Sequence, residues 1–291
     1  MYHVHESETN TVSAGAAAGL ARLKEILAGY DRLAVAFSGG VDSTLLLRAA
    51  HETLGDRVLA LTAVGSSFPR RESREASDFC AQEGVPQREI IFREMEVEGF
   101  ADNPVNRCYL CKKTLFGKVL EAAHAEGYAV VAEGSNTDDA GDYRPGLAAL
   151  KELGITSPLR QAGLSKADIR ELCRMYGLPV WSKPSYACLA TRFPYGEHIT
   201  EERLHMVEAA EQKLLDLGFT QQRVRVHGTS ARIEVLPDQF PLLLARREEI
   251  AASFAEIGFA YTAMDLLGYR TGSMNETLTR EEVERGLAGK A

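Results

Sequence analysis

The chain has 291 residues, a formal net charge of −8, 45% apolar residues and 25% charged residues. These values are typical of a soluble globular protein with one large or two ordinary domains. No stretch approaches the roughly 18 apolar residues of a membrane helix, and the polar start has no apolar core of a signal peptide. We therefore expect a cytoplasmic protein without a membrane partner, and the acidic balance argues against a nucleic-acid partner.

Predicted helices and strands alternate from residue 16 to about residue 184. The helices are predicted at 16–29, 42–53, 70–83, 114–126 and 165–176, and the strands at 33–37, 57–64, 89–92 and 128–132. Strands that are separated by helices pair in parallel. The sequence therefore predicts an α/β fold with a doubly wound parallel sheet, in which ligands bind beyond the carboxyl ends of the strands.

A different order of elements follows a turn-rich stretch at 185–198. Helices are predicted at 201–217 and 239–257, and short strands at 223–226, 232–235 and 261–266. This order is typical of a smaller α+β domain. We therefore divide the chain into a flexible N-terminal arm (1–14), an α/β domain (15–190) and a C-terminal domain for substrate binding or oligomerisation (191–291).

The segment 38–44 reads SGGVDST and lies between a predicted strand and a predicted helix. Its glycines let the backbone approach an anion, and the start of the helix offers free N–H groups and a partial positive charge. Asp42 would repel a bare phosphate, so we interpret it as a ligand of Mg²⁺ between phosphates. The Gly-Lys-Ser/Thr ending of a Walker loop is missing. The alternative is a capped helix that begins at glycines without any ligand.

The string Ser-Gly-Gly-Val-Asp-Ser resembles the loop of the PP-loop ATP pyrophosphatases, which include synthetases of NAD, GMP and asparagine and many sulfur-inserting enzymes. The resemblance implies that a substrate oxygen attacks the α-phosphorus of ATP and that magnesium pyrophosphate leaves. Nitrogen or sulfur then attacks the adenylate. The resemblance also implies a set of ATP-binding residues: Ala36, Ser38, Gly39, Gly40, Asp42, Ser43, Thr44, Gly134 and Lys166. Asp42 is in addition a predicted catalytic residue.

Further strings narrow the resemblance to one branch. They lie at 133–139, 142–146, 181–184, 188–196, 223–227 and 231–234. Together with the loop they are similar to the LarE family of ATP-dependent sulfur transferases, over about residues 15–280. The family converts a pyridinium-3,5-dicarboxylate mononucleotide to its bis-thiocarboxylate, the precursor of the nickel-pincer nucleotide of lactate racemase. The resemblance also implies a homo-oligomer and adenylation of each carboxylate before sulfur displaces AMP.

The phosphate of such an acceptor needs cationic partners, and arginine binds phosphate through paired N–H groups. Arg192, Arg223 and Arg225 match family positions and are the predicted clamps, with Thr191 as an additional hydroxyl donor. Arg223 and Arg225 are two residues apart on a predicted strand, so they face the same side. The alternative for these arginines is a set of ordinary surface ion pairs.

Two residues carry a weaker prediction for the acceptor site. Arg144 lies in a string that matches the family and would contact the acceptor or ATP. Glu234 would either orient an arginine or bind a metal, and the sequence does not choose between these roles.

The predicted sulfur site consists of Cys108, Cys111 and Cys188. Some family members give up the sulfur of one of their own cysteines, but that position aligns with Ala187 here. Three thiolates can instead hold a [4Fe–4S] cluster, commonly with Cys-x-x-Cys spacing, and leave one iron open to an external hydrosulfide. We therefore predict an iron–sulfur cluster and identify Cys188 as a catalytic residue.

Other interpretations of the cysteines stay open at this point. They are a zinc site with a fourth ligand, sacrificial sulfur donation from Cys188, and simple buried thiols. Cys80 and Cys173 lie in predicted amphipathic helices and are interpreted as packing residues.

Three other functions compete with this one. A tRNA thiolase with a cluster would need a basic surface that reaches RNA phosphates. A synthetase that uses ammonia leaves the three cysteines unexplained. An ATP-binding regulatory module would bind nucleotide without releasing pyrophosphate.

Overall fold

The computed structural model describes residues 12–141, 145–184 and 187–288. Most of the predicted N-terminal arm, together with Arg144, lies outside the described residues. In the described part of the chain, no helix combines the length and the apolar character that crossing a membrane would require.

Four parallel strands form the larger sheet, in the order β3-β2-β1-β4. Their bounds are β1 Leu33–Ala36, β2 Val58–Val64, β3 Gln87–Ile91 and β4 Val131–Ala132. The inner strands β1 and β2 are almost entirely apolar and mostly buried, as expected for strands that are covered on both faces. Since β2 and β4 flank β1 on opposite sides, the strand order reverses at β1, and a crevice opens there.

Seven helices flank this sheet in the described part of the chain. They are α1 Ala14–Ala28, α2 Val41–Leu54, α3 Arg70–Glu83, α4 Arg107–Ala125, α5 Gly146–Glu152, α6 Pro158–Gln161 and α7 Lys166–Met175. Apolar side chains of α1, α2, α3, α6 and α7 share one core, and those of α4 and α5 belong to the other. Helices therefore cover both faces, which confirms the predicted doubly wound α/β sheet.

The ends of two helices show where the sequence pattern succeeded and where it failed. The predicted helix at 165–176 corresponds to α7, and Ser165 caps it: its hydroxyl accepts from Asp168 N (3.2 Å), and Asp168 Oδ2 accepts from Ser165 N (2.9 Å). In contrast, α4 begins at Arg107, seven residues before the predicted start at 114. No side-chain cap marks its first turn. The correction matters because it places Cys108 and Cys111 on this helix.

The described C-terminal residues, 187–288, form a separate three-stranded sheet with four helices. Its elements are α8 Glu201–Asp216, β5 Gln222–His227, β6 Ser230–Val235, α9 Phe240–Ala245, α10 Arg247–Ile257, β7 Tyr261–Met264 and α11 Arg280–Leu287. β5 pairs antiparallel with β6, and β7 pairs parallel with β6. The predicted helix at 239–257 is split at Arg246, and α11 was not predicted.

One apolar core connects the two sheets. Leu115, Phe116 and Val119 of α4 belong to the same buried cluster as Val207 of α8 and Val224 of β5. The cysteine-bearing helix and the C-terminal sheet therefore share one core. The predicted boundary at residue 190 lies within a short 3₁₀ turn, Leu189–Arg192, and it stays a prediction.

Candidate functional site

The phosphate loop connects β1 to α2 and is shaped by its own hydroxyl groups. Ser38 Oγ lies 3.1 Å from Ser43 Oγ, which donates to Gly40 O (3.2 Å). Gly39 has φ +68°, and a Cβ there would lie 3.2 Å from Ala76 Cβ and 3.3 Å from the Glu72 carbonyl oxygen. The loop therefore needs glycine both for its conformation and for its space. Gly40 is the N-cap of α2, so backbone N–H groups of the first turn face the crevice without a side-chain cap.

Asp42 is the charged centre of this loop. Its Oδ2 forms an ion pair with Lys166 Nζ, and its Oδ1 accepts from Asn136 Nδ2 (3.1 Å). Gly134, after β4, packs so closely that a Cβ would lie 3.0 Å from Ser43 N. Segments that are far apart in sequence thus meet at the crevice, and two of the predicted ATP-binding residues, Gly134 and Lys166, border Asp42 or its neighbour.

The remaining predicted ATP-binding residues are Ala36 and Thr44. Ala36 ends β1 and lines the cavity described below. Thr44 is 1% exposed, and its Oγ1 has no hydrogen-bond partner among the described residues. It lies behind the loop and does not line the cavity, so its contact with ATP stays a prediction.

A cavity of 620 Å³ extends from the phosphate loop to the cysteine region. It is lined by the loop residues Ser38, Gly40, Val41, Asp42 and Ser43, together with Gly134, Lys166 and Cys188. Lys112 also lines this cavity. A nucleotide at the loop would therefore share one cavity with a thiol.

The three cysteines of the predicted sulfur site share one electrostatic environment. Cys108 and Cys111 are three residues apart on α4 and face the same side. Burial raises the pKa of the Cys111 thiol, and negative charge on Cys188 and Cys108 raises it further. Burial also raises the pKa of Cys188, while Arg107 and Arg192 oppose this shift. Within the described residues, no three His, Cys, Asp or Glu side chains are grouped to hold a single metal ion.

Cys80 and Cys173 stand apart from this group. Both are buried in the core that α1, α2, α3, α6 and α7 share, as predicted for packing residues. Burial raises the pKa of each thiol to about 12.

Arg192 is fully buried directly after the loop that carries Cys188. Its Nε and Nη2 donate to the two carboxylate oxygens of Glu211 (2.7 and 2.9 Å). Its Nη1 donates to Ala187 O (2.9 Å) and Thr191 Oγ1 (2.7 Å). Arg192 thus fixes the Cys188 loop, and a phosphate bound there would have to replace some of these contacts. The predicted phosphate clamp at Arg192 and Thr191 stays a prediction.

The other two predicted clamps lie side by side on β5. Arg225 donates to Thr191 O (2.8 Å), Glu234 Oε2 (2.9 Å) and Ser273 Oγ (2.8 Å). Burial, together with the positive charge of Arg192, lowers the pKa of Arg223 to about 10.

Glu234 has no exposed surface, and it accepts hydrogen bonds from Arg225 and from Arg232 Nη2 (3.1 Å). The sequence left two roles open for Glu234, and its contacts with these arginines favour the role of orienting an arginine. Arg232 also pairs with Asp265 (3.1 Å), as an ordinary ion pair would.

Several residues that the sequence analysis did not single out hold the site in place. Glu133 accepts from Ser135 N (3.0 Å) and Ser135 Oγ (2.8 Å) and from the Ser157 hydroxyl, which fixes the turn after β4. Glu211 lies in α8, and nothing in the helical pattern separated it from the other charged residues there. Its role could be recognised only from its partner across the fold.

No family model matches the chain. The chain is 40% identical over 263 residues to an uncharacterized protein of Synechocystis sp., covering 90% of this chain and 98% of that protein. It is 35% identical over 264 residues to the pyridinium-3,5-bisthiocarboxylic acid mononucleotide synthase of Lactiplantibacillus plantarum, covering 90% and 96%. A tRNA-specific 2-thiouridylase of Trichlorobacter lovleyi is 29% identical over 185 residues, about half of each chain.

These similarities agree with the crevice at the strand reversal, where a glycine-rich phosphate loop and a cysteine line one cavity. The second of them extends over nearly the full length of both chains. The chain therefore belongs to the LarE family of ATP-dependent sulfur transferases.

Proposed function

We propose that the chain adenylates the carboxylates of pyridinium-3,5-dicarboxylate mononucleotide and replaces AMP with sulfur, which yields the bis-thiocarboxylate. The observation that carries this proposal is the single cavity lined by the phosphate loop and by Cys188. The name of the Lactiplantibacillus plantarum relative supports the choice of product. The relation to the tRNA thiouridylase extends over only about half of each chain, and no feature of the described residues favours RNA.

The first step is the adenylation. A carboxylate oxygen of the acceptor attacks the α-phosphorus, a new O–P bond forms, and the bond to the bridging oxygen breaks so that pyrophosphate leaves. The N–H groups at the start of α2 and the Lys166 ammonium stabilise the negative charge on the phosphates. Asp42 would hold Mg²⁺, which neutralises the pyrophosphate when bound. Lys166, whose described partner is Asp42, would then pair with phosphate instead.

The second step is the sulfur transfer. The sulfur of a hydrosulfide attacks the carbonyl carbon of the acyl-adenylate, a C–S bond forms, and the C–O bond to AMP breaks. The sulfur-bound proton passes to solvent, which leaves a thiocarboxylate. Since the cavity reaches from the loop to Cys188, the adenylate and the sulfur site would not have to separate between the steps.

We assign the three cysteines to an iron–sulfur cluster, for which thiolates are the ordinary ligands. No group of three ligands to one ion exists among the described residues. The nearby guanidinium groups of Arg107 and Arg192 would balance an anionic cluster. When bound through Cys108, Cys111 and Cys188, such a cluster supplies one iron without a protein ligand for an external hydrosulfide.

We assign the phosphate of the acceptor to the buried arginines Arg192, Arg223 and Arg225. Arg192 pairs with Glu211 and Arg225 pairs with Glu234, and these buried pairs hold the two guanidinium groups in place. Buried arginines of this kind are suited to bidentate phosphate binding. The C-terminal domain would in this way contribute the substrate-binding residues.

We also propose a homo-oligomer. Tyr261 on the edge strand β7 is 71% exposed, and Leu266 and Leu267 beyond it are 79% and 68% exposed. Exposed apolar side chains next to a sheet edge are typical of a surface that another chain covers.

The test is anaerobic reconstitution with iron and sulfide, followed by iron analysis, absorption and mass analysis of the product formed with ATP and the acceptor. Cys108→Ala is compared with Cys80→Ala, which alters a buried packing cysteine. About four irons per chain, lost only in Cys108→Ala, would support the cluster. A single turnover that removes sulfur from Cys188 without iron would replace the cluster by sacrificial donation. Absence of pyrophosphate release in the presence of the acceptor would contradict the proposed reaction itself.

A further inference from the structure

Two buried side chains tie the cysteine-bearing start of α4 to the loop that follows Cys188. The first is Asn103, whose Nδ2 donates to Pro194 O (2.6 Å) and Phe193 O (3.2 Å). The backbone carbonyl of Asn103 accepts from Gly196 N (2.9 Å). Among the described residues, Asn103 is the one non-glycine residue with positive φ, at +52°. Asparagine tolerates this conformation better than most residues, and such strain persists where surrounding contacts maintain it.

The second side chain is Arg107, the first residue of α4. It is 1% exposed. Its Nη1 donates to Ala190 O (2.9 Å) and to Asn103 Oδ1, and its Nη2 lies 3.9 Å from Cys108 Sγ. One guanidinium therefore contacts Asn103, the turn after Cys188 and the first cysteine of α4.

Arg107 is a buried cation whose partners among the described residues are a thiol and carbonyl oxygens. Arg192 pairs with a buried glutamate, but no carboxylate in the described part of the chain pairs with Arg107. An unpaired charge in a protein interior is strongly unfavourable. The Nη2 of Arg107 lies close to the sulfur of Cys108, which belongs to the predicted sulfur site.

We propose that Asn103 and Arg107 form a clamp that positions Cys108 and Cys111 against Cys188, and that the Arg107 guanidinium is the counter-charge of the sulfur ligands. Both are positioning residues. The second part rests on the proposed function, because it assigns an anionic cluster to these cysteines.

The positions of the thiols are tested on the metal-free chain with a short bis-maleimide reagent and peptide mass mapping. Asn103→Gly keeps the backbone conformation and removes only the amide contacts, and Arg107→Met removes the guanidinium. We expect a several-fold decrease of cross-links to Cys188 in both variants, measured relative to the Cys108–Cys111 link within α4. Arg22→Met, which removes a contact of Arg22 Nε with Ala162 O (2.9 Å) on the other face of the sheet, is the control. An unchanged ratio in both clamp variants would overturn the positioning role.

The charge is tested on the reconstituted protein with Arg107→Lys and Arg107→Met. We expect Arg107→Met to bind several-fold less iron or to shift the reduction potential of its cluster to a more negative value, and Arg107→Lys to restore both towards wild type. Equal iron content and potential in all three proteins would overturn the counter-charge role. If the wild type binds no iron, the proposed cluster fails and the counter-charge role fails with it, while the cross-linking ratio still decides the positioning role.

Discussion

The proposed reaction site has an ATP end around the phosphate loop and an acceptor end around Arg192 and Arg225, and these two regions hold their charges in different ways. At the ATP end, the side chains of the Lys166–Asp42 pair are 27% and 24% exposed. At the acceptor end, those of the Arg192–Glu211 pair are 0% and 7% exposed, and those of the Arg225–Glu234 pair are 8% and 0%. Solvent can stabilise the first pair while it exchanges partners, but it cannot do so for the other two. The ATP end is therefore suited to rearrange around a ligand, and the acceptor end is a preformed framework.

Removal of a framework carboxylate is expected to have the largest effect on stability. Glu211→Ala leaves Arg192 buried without its partner and removes the acceptor of Val224 N (2.9 Å). We expect the free energy of unfolding, measured with urea, to fall by about 3–5 kcal/mol.

The matched control is Glu52→Ala, which removes an exposed partner of Lys24. Here we expect a loss of about 0.2–1 kcal/mol. Equal losses in the two variants would remove the distinction between a framework pair and a surface pair.

The ATP end is expected to show the opposite pattern. Asp42→Asn removes the charge that pairs with Lys166 and that would bind Mg²⁺. We expect pyrophosphate release to slow by roughly 10²–10³-fold, with the unfolding free energy changed by less than about 1 kcal/mol. Asp78→Asn, on the exposed face of α3, should leave both values unchanged. A large loss of stability in Asp42→Asn would mean that this end is a framework as well.

Two glycines separate the effect of crowding at the phosphate loop from the effect of backbone strain. Gly39 and Gly84 both have φ +68°, but a Cβ at Gly84 would meet nothing within 4 Å. Alanine at either position should lower the unfolding free energy by about 1–2 kcal/mol through backbone strain. Only Gly39→Ala should also raise the KM for ATP, because its Cβ displaces the loop from α3. A normal KM in Gly39→Ala would show that the loop tolerates this displacement.

The framework also predicts a pH dependence. Burial opposes ionisation of Glu211, but Arg192 outweighs it, so the pKa of Glu211 is lowered from its ordinary 4.5. A lowered pKa in the folded state adds stability above pH 4.5, and this contribution is lost as the pH falls through the folded value. The free energy of unfolding in urea should therefore fall more steeply below pH 4.5 for wild type than for Glu211→Gln. Parallel pH profiles would contradict the assignment.

The sequence predicted the ATP end better than the acceptor end. SGGVDST is a local string between a strand and a helix, so its position at the crevice followed from the order of elements. The start of α4 was missed because no capping side chain marks it. The pairing of Arg192 with Glu211 was missed because it depends on how α8 packs against the turn at residue 189, which no local pattern encodes. Burial of arginines is a tertiary property, so the sequence could identify Arg223 and Arg225 but not their partners.

The pairing of β1 with β4 has a consequence for folding during synthesis. Ala34 pairs with Val131, so the phosphate loop leaves the ribosome long before the strand that brings Gly134 to its side. Long-range parallel pairing is slow to form, and a nascent chain without β4 has only half of the nucleotide site. ATP binds the completed fold, and it therefore shifts the folding equilibrium by mass action only after synthesis has passed this strand. ATP can therefore stabilise the completed fold, but it cannot direct the folding of a nascent chain that lacks β4.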